Sequence, residues 1–251
     1  VMDQGDGCNT CWAFATTSAT TANISKNAID KENGVSVRIR CEDPGGISAV
    51  IGATSVETRV PYVQDLLNCM PIKKAEICNS GWHGRVFDFM VYKKGIPMGY
   101  KDGMVLGVPD ANGGIDERIK GVGSEYKKGQ KFVCKPAVGY FKALAWDYVS
   151  SPPDKVPTVE ELKTALVKRG PVVAGIFFDE CFRDYKSGVF NEKNNRTINH
   201  VVLIIGWDDS KQAWLIKNSY GEKWGENGFA WIKYGSNNIG MFAAWIEANA
   251  S

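Results

Sequence analysis

The stretch Cys8-Asn9-Thr10-Cys11-Trp12-Ala13-Phe14 carries more information about the fold than any other part of the chain. After Cys11 there is no glycine or proline before Gly34, and alanines recur, so a helix is predicted to begin near Cys11. Free N–H groups and the helix dipole favour an anion in the first turn, which lowers the pKa of a thiol there. Cys11 is therefore a candidate nucleophile.

The Cys8 and Cys11 pair has two other interpretations, a redox pair or half of a zinc site. A zinc site needs a second Cys or His pair at matching spacing, but Cys69 and Cys78 are too far apart and the chain has only 2 histidines. A redox pair usually opens a helix after a βαβ-type strand, and only three residues precede Gln4. We therefore favour the nucleophile and expect no metal or cofactor.

The candidate base comes from the two histidines, His83 and His200. His200 opens a β-branched apolar run over 201–207 that is typical of a buried strand, and 212–217 reads as the returning strand of a hairpin. Asn218 ends that second strand, where its amide could hold one tautomer of the imidazole. His200 is the candidate base, and a core histidine at a strand end is the alternative. We interpret His83 as a pocket-wall or surface residue.

These segments resemble the motifs of papain-like cysteine proteases. The matching sequences, in family order, are Cys-x-x-Cys-Trp-Ala-Phe, Asn199-His200-Val201, Ile216-Lys217-Asn218-Ser219 and, after Trp224, Gly225-Glu226-Asn227-Gly228. The resemblance implies an α+β, papain-like two-domain fold. A helical domain would lie beside an antiparallel β-barrel-like domain, with the active site in the cleft between them.

The resemblance also implies an activity, that of a thiol-dependent endopeptidase. Cys11 would be a thiolate paired with a His200 imidazolium, and Asn218 would fix the ring. Gln4 would donate its amide to the oxyanion of the acyl intermediate. Two alternatives remain open: a transamidase or peptide ligase that uses the same thioester, and a non-catalytic binding or storage protein.

Three departures from the family pattern are visible. His200 follows Cys11 at more than the roughly 130–150 residues typical of the family, so we expect insertions near 35–58 and 98–131. Both would lie in a mainly helical domain over 1–142 that carries the nucleophile, and a β-rich domain over 143–251 would carry His200 and Asn218. Gln4 lies one residue farther from Cys11 than is usual, and an exposed glutamine in a mobile terminus is the alternative. Tyr220 replaces the tryptophan that shields the family's Asn–His hydrogen bond.

Hydrophobic periodicity predicts the main regular elements. We expect a helix over 82–94 and another that begins after Thr158, where Glu161 completes a capping box and Gly170-Pro171 ends the helix. The predicted strands cover 172–178, 201–207, 212–217 and 229–234.

The chain has 7 cysteines, and six remain if Cys11 is the nucleophile. Six cysteines allow fifteen pairings, and sequence alone does not choose among them. The resemblance implies that Cys8 pairs with Cys78 and Cys69 with Cys134, while Cys41 and Cys181 pair together or stay as buried thiols. Such bridges indicate an oxidising compartment, so we expect a secreted or lysosome-like lumenal protein. Asn23 and Asn195 begin glycosylation sequons. Asn23 lies on the predicted Cys11 helix, so only Asn195 is a candidate acceptor.

The resemblance further implies a set of substrate-binding residues. These are Gly81, Trp82, His83, Gly175, Ile198, Val201, Ala244 and Trp224. The pocket is mostly apolar, which predicts an apolar residue second from the scissile bond. His83 beside it could make selectivity depend on pH.

Composition limits the partners. The 251 residues are 44% hydrophobic and 23% charged with a net charge of +2, which argues for neither nucleic acid nor an anionic membrane. No apolar run is long enough to span a bilayer. We expect a monomer that acts on a peptide or protein, made with an N-terminal pro-segment and controlled by it and by protein inhibitors.

Overall fold

The computed structural model describes residues 1, 4, 9–32, 40–41, 46–48, 63–72, 81–93, 141–194 and 196–250. The elements, in chain order, are α1 (Cys11–Glu32), β1 (Arg40–Cys41), β2 (Gly46–Ser48), α2 (Val63–Cys69), α3 (His83–Asp88), β3 (Phe141–Tyr148), α4 (Val159–Arg169), β4 (Val172–Ile176), α5 (Glu180–Arg183), β5 (Val189–Phe190), β6 (His200–Asp208), β7 (Ala213–Lys217), β8 (Phe229–Lys233) and β9 (Met241–Ala250). The arrangement is of the α+β class predicted from the sequence.

Helix α1 begins at Cys11, as predicted, and most of its side chains over 11–24 are buried. Its threonines are poor helix formers, but their hydroxyls find acceptors inside the helix: Thr16 donates to the Trp12 carbonyl at 2.8 Å and Thr17 to the Ala13 carbonyl at 2.7 Å. These bonds allow hydroxyl groups to lie on a buried helix without loss of their hydrogen bonds. The helix packs against β6 and β9, and this packing fixes Cys11 beside the sheet.

The sheet follows the path β3-β9-β4-β6-β7-β8-β5, with β2 attached to β6 and β1 to β2. All pairs are antiparallel except β5 with β8. Strand β6 lies in the middle and pairs with β4 and β7, so that His200 is opposite Ile176 and Leu203 is opposite Lys217. The β6–β7 hairpin predicted around His200 is therefore confirmed.

The predicted helices are present with small changes. Helix α4 has the full capping box: the Thr158 side chain accepts from the Glu161 N–H, and the Glu161 carboxylate accepts from the Thr158 N–H. Gly170 ends α4 with a φ of 95°, which a residue without a Cβ adopts at no steric cost. The helix predicted over 82–94 begins at His83 and continues beyond α3 as a π-helical turn over Phe89–Lys93.

The four predicted strands are confirmed, and periodicity missed the others. Strand β9 is rich in alanine, which has little preference for strands, and pairing with β3 and β4 decides its conformation. The insertion expected near 35–58 includes β1 and β2, and β2 extends the sheet along Gly206–Asp208 of β6 rather than forming only a surface loop. The insertion expected near 98–131 lies outside the described residues.

Buried side chains form two clusters. One joins α1, α2 and α3 to one face of the sheet, with Trp12, Phe87 and Leu203 among its members. The other lies within the strand-rich half, around Trp214, Phe182 and Ile232. The boundary near residue 142 stays a prediction. Within the part of the chain that the structure describes, no helix is long and apolar enough to cross a membrane.

The predicted bridges lie mostly outside the described residues. Cys69 is disulfide-bonded, but Cys8, Cys78 and Cys134 are not described, so both pairings stay predictions. Cys181 carries a free and exposed thiol. A Cys41–Cys181 bridge and a buried Cys181 thiol are therefore both wrong, because α5 is a short surface helix that turns this side chain to solvent.

The sequon at Asn23 is structural. Its Nδ2 donates to the Arg169 carbonyl at 2.8 Å, and its Oδ1 accepts from the Ala248 N–H at 2.7 Å. Asn23 is buried and joins α1 to the end of α4 and to β9. The asparagine of the other sequon, Asn195, lies outside the described residues.

Candidate active site

His200 and Asn218 meet at the open end of the β6–β7 hairpin. His200 is the first residue of β6, and Asn218 follows the last residue of β7, so pairing of the two strands brings both side chains together. Nε2 of His200 lies 2.8 Å from Oδ1 of Asn218, and both side chains are buried. An amide oxygen only accepts, so Nε2 carries the hydrogen and Nδ1 is left as the basic nitrogen.

Two aromatic rings cover His200. The Tyr220 ring stacks on the imidazole, with centroids 5.2 Å apart and an angle of 23° between the planes. The Phe178 ring lies 5.4 Å from the imidazole and 5.7 Å from Tyr220. Tyr220 thus covers one face of the imidazole although it replaces the family's tryptophan, and Phe178 adds a second ring beside it. Burial lowers the pKa of His200 to about 4, although the bond to Asn218 opposes the shift.

Cys11 begins α1 and is buried against β6. Burial raises the pKa of its thiol to about 11. The backbone N–H groups of Val201, Trp12 and Cys11 itself face the sulfur and lower this pKa, in opposition to burial. Val201 is the residue after His200, so the sulfur lies at the same end of β6 as the imidazole.

Gln4 is held against the same hairpin. Its backbone N–H donates to the Ser219 carbonyl at 2.8 Å, and its Oε1 accepts from the Ser219 hydroxyl at 2.6 Å. The side chain is buried, which is contrary to the alternative of an exposed glutamine in a mobile terminus. With Oε1 bound to a hydroxyl, the side-chain NH₂ group is turned away from Ser219.

Asn218 and Ser219 therefore join the candidate base to Gln4. Oδ1 of Asn218 accepts from the imidazole and also from the Ser219 N–H at 2.8 Å. The Ser219 hydroxyl then bonds to Gln4. Sequence reasoning gave Ser219 no role, although its place directly after Asn218 was a usable signal. Phe178 was also missed, because nothing in its local sequence indicates the ring that it covers.

His83 lies in an aromatic cluster at the start of α3. Its Nε2 lies 2.8 Å from the carbonyl oxygen of Phe242. The centroid of its ring lies 4.6 Å from that of the Trp82 ring. The Trp82 indole donates to the Tyr148 hydroxyl at 2.9 Å. The His83 side chain has no exposed surface, and burial lowers its pKa to about 4. His83 is therefore a neutral, enclosed ring in this structure and not a surface residue.

The predicted pocket residues lie near one another on β4, β6 and β9. A Cβ on Gly175 would meet the Ile198 side chain and, at 2.9 Å, the Met241 carbonyl. Val201 is opposite Gly175 in the sheet, and Ala244 is opposite Val173. Ile198 therefore lies over the bare backbone of β4.

Two other predicted substrate-binding residues have clear structural roles. A Cβ on Gly81 would overlap the Trp12 ring, so this position tolerates only glycine where the backbone passes the start of α1. Trp224 is buried in the strand-rich cluster and donates its indole N–H to the Arg183 carbonyl at 2.9 Å.

One group of possible metal ligands is present in the described part of the chain. Asp179, Cys181 and Glu192 bring one ligand atom each to within 4.8 Å of one another. Asp179 caps α5 through the Phe182 N–H, and a hydrogen bond to Glu192 raises the pKa of the Cys181 thiol. These side chains already have partners within the protein, so we do not assign a metal site to this group.

Comparison with known proteins identifies the family. The family model described as papain family cysteine protease matches residues 48–248, a span that includes His200 and Asn218 and begins after Cys11. The chain belongs to the papain family of cysteine proteases.

Similar proteins come from distant organisms. The gamete and mating-type specific protein A of Dictyostelium discoideum is 29% identical over 97% of this chain and 42% of its own length. Cathepsin J of Mus musculus is 29% identical over 70% of this chain and 47% of its own length. The chain thus spans less than half the length of these two relatives. The bromelain protease of Ananas comosus, solved with the E64 inhibitor, has a TM-score of 0.61 at 24% identity and covers 98% of this chain and 92% of its own, which shows the fold.

Proposed function

We propose that this protein is a thiol-dependent endopeptidase that hydrolyses peptide bonds through an acyl-enzyme on Cys11. The observation that carries the proposal is the buried bond between His200 Nε2 and Asn218 Oδ1, at 2.8 Å. It leaves Nδ1 as a base on a ring that cannot turn freely. The imidazole also lies at the end of β6 beside Cys11, where such a base can take the thiol proton, so this arrangement favours catalysis.

The Cys11 proton must move within the site. Burial opposes charge on either group alone, because it raises the pKa of the thiol to about 11 and lowers that of His200 to about 4. The thiol therefore loses its proton as the imidazole gains it, so that opposite charges appear together. We place the thiolate–imidazolium pair expected from the sequence at this step, and the Val201 and Trp12 N–H groups favour it.

The reaction then proceeds in two stages. The sulfur attacks the peptide carbonyl, and the Gln4 NH₂ group and the Cys11 N–H donate to the oxyanion. His200 protonates the leaving amine, and the C–N bond breaks to leave a thioester. Water, deprotonated by His200, releases the acyl group and regenerates the thiol.

We also propose the substrate class. The residues around Ile198 are apolar, and His83 is neutral and enclosed. Such a surface favours an apolar side chain second from the scissile bond and gives arginine no partner. Because the pKa of His83 is about 4, its protonation does not tune selectivity near neutral pH. A peptide library dominated by arginine at that position would contradict this specificity.

The setting of the protein follows from its cysteines and its relatives. The disulfide-bonded Cys69 favours folding in an oxidising compartment, hence a secreted or lysosome-like lumenal protein. Similar proteins include one named pro-cathepsin H and a solved digestive procathepsin L 3 of Tenebrio molitor. We therefore propose control by a pro-segment, and a monomer as the working form.

Hydrolysis by the reduced protein tests the proposal. We expect cleavage of an internally quenched peptide by the natural chain and none by Cys11→Ala. An added amine nucleophile distinguishes hydrolysis from transamidation. A peptidase releases the acyl group as a carboxylic acid, whereas a transamidase transfers it to the amine and gives an amide. Peptide binding without turnover, with equal affinity in both proteins, would favour the binding protein.

A further inference from the structure

A small cavity lies behind the catalytic residues, between α1 and the β6–β7 hairpin. Its volume, counted as the space open to the centre of a water molecule, is about 10 Å³, which is room for one water molecule or one small ion. The apolar wall includes Phe14, Val201 and Leu203, and the polar lining includes Ser18, Lys217 and Asn218. The proposed catalytic steps use none of this space.

Lys217 brings a positive charge to this cavity, and no carboxylate of a described residue pairs with it. Its ammonium lies 3.3 Å from the Ser18 hydroxyl, and it makes no ion pair with any described residue. The side chain is half-buried, and loss of hydration lowers its pKa. A partly dehydrated ammonium next to apolar walls is stabilised by a nearby negative charge.

Asn218 adds an unsatisfied donor to the same lining. Its Oδ1 is used by His200 and by the Ser219 N–H, but its buried Nδ2 has no acceptor among the described residues. A buried donor without a partner costs about 1–3 kcal/mol. An occupant that accepts hydrogen bonds and carries a negative charge would satisfy both Asn218 and Lys217.

We propose that this cavity binds a small monovalent anion, of the size and chemistry of chloride. The anion lies between the Lys217 ammonium and the Asn218 amide and accepts from both, while Ser18 turns its hydroxyl hydrogen toward it. Charge distinguishes the anion from a water molecule, which would accept the same bonds but leave the ammonium uncompensated. The site is independent of the peptidase reaction, although it touches the amide that holds His200.

Thermal unfolding in matched salts tests the site. Chloride and gluconate are compared at constant ionic strength, because gluconate is too large for the cavity. The expected result is a saturable rise of the unfolding midpoint with chloride, of about 2–4 °C if binding adds roughly 1 kcal/mol. Lys217→Met removes the charge in a side chain of similar length and should abolish the rise. Lys186→Met, at an exposed position, is the matched control and should retain it.

Bromide-soaked crystals of the natural chain give a second measurement that needs no variant. Anomalous density beside the Lys217 ammonium and the Asn218 amide would support the proposal even if Lys217→Met failed to fold. Equal midpoints in chloride and gluconate, or density for water alone at that position, would overturn it. An equal chloride effect in Lys217→Met would do the same.

Discussion

The Ser219 hydroxyl donates a hydrogen bond of 2.6 Å to Oε1 of Gln4, and the backbone N–H of Gln4 donates to the Ser219 carbonyl at 2.8 Å. Both bonds link the start of the chain to the end of β7. The Gln4 amide thus has a fixed direction despite the extra residue between Gln4 and Cys11. Oδ1 of Asn218 accepts from the Ser219 N–H. Asn218 and Ser219 together therefore position both the candidate base, His200, and the candidate oxyanion donor, Gln4.

Removal of the Ser219 hydroxyl should therefore weaken catalysis without affecting the thiol. We expect Ser219→Ala to lower kcat about 3- to 10-fold, the factor that corresponds to one hydrogen bond. KM and the alkylation rate of Cys11 should stay unchanged, because neither depends on an oxyanion.

A double variant gives the control for this effect. In a Gln4→Ala background, Ser219→Ala should have no further effect on kcat, whereas Ser210→Ala at the exposed β6–β7 turn should be neutral in both backgrounds. Additive losses from Ser219→Ala and Gln4→Ala would show that Ser219 acts by another route.

The stacked ring of Tyr220 should control the basicity of His200. Its removal in Tyr220→Ala admits water to the imidazole, and hydration reverses the effect of burial, so the His200 pKa should rise from about 4 toward its ordinary value. NMR titration of the ring measures the pKa. Tyr220→Trp retains an aromatic cover and should leave the pKa low, and an unchanged pKa in Tyr220→Ala would contradict the shielding role.

His83 should make the protein less stable in acid. Its folded pKa of about 4 is below the ordinary 6.5, so the unfolded chain binds the proton first and stability falls as the pH drops from 6.5 toward 4. The shift corresponds to at most about 3 kcal/mol. Denaturant unfolding from pH 7 to 4.5 should show this loss, and His83→Gln should remove the part due to His83. His200, whose pKa is also about 4, contributes to the loss that remains. An equally steep loss in His83→Gln would exclude His83 as its origin.

The sequence predicted the β6–β7 hairpin, the Cys11 helix and α4 because each has a strong local signal: a β-branched run, a glycine-free helical stretch and a capping box. It did not predict β9, whose alanines form a strand through pairing with β3 and β4. It also did not predict that Phe178 covers His200, since this contact joins the loop after β4 to the start of β6. The enclosure of His83 was missed because the Phe242 carbonyl that binds it lies far along the chain.

The cysteines show the same difference between features that have a local sequence signal and features that depend on contacts between distant parts of the chain. The residues that follow Cys11 predicted a helix that begins there, and the structure has that helix. The exposure of Cys181 instead depends on where α5 lies against the sheet. No local pattern distinguishes a bridged cysteine from a free one, because pairing is decided by distances across the fold.

The central claim is that His200 activates the Cys11 thiol, and the free Cys181 thiol provides an internal reference. The direct measurement is the rate of iodoacetamide labelling at each cysteine at pH 6, read by mass spectrometry of the natural chain and of His200→Gln. We predict that Cys11 reacts faster than Cys181 in the natural chain and slower in His200→Gln, where its pKa stays near 11. Labelling of Cys11 that is no faster than that of Cys181 in the natural chain, or that is unaffected by the loss of His200, would contradict the account.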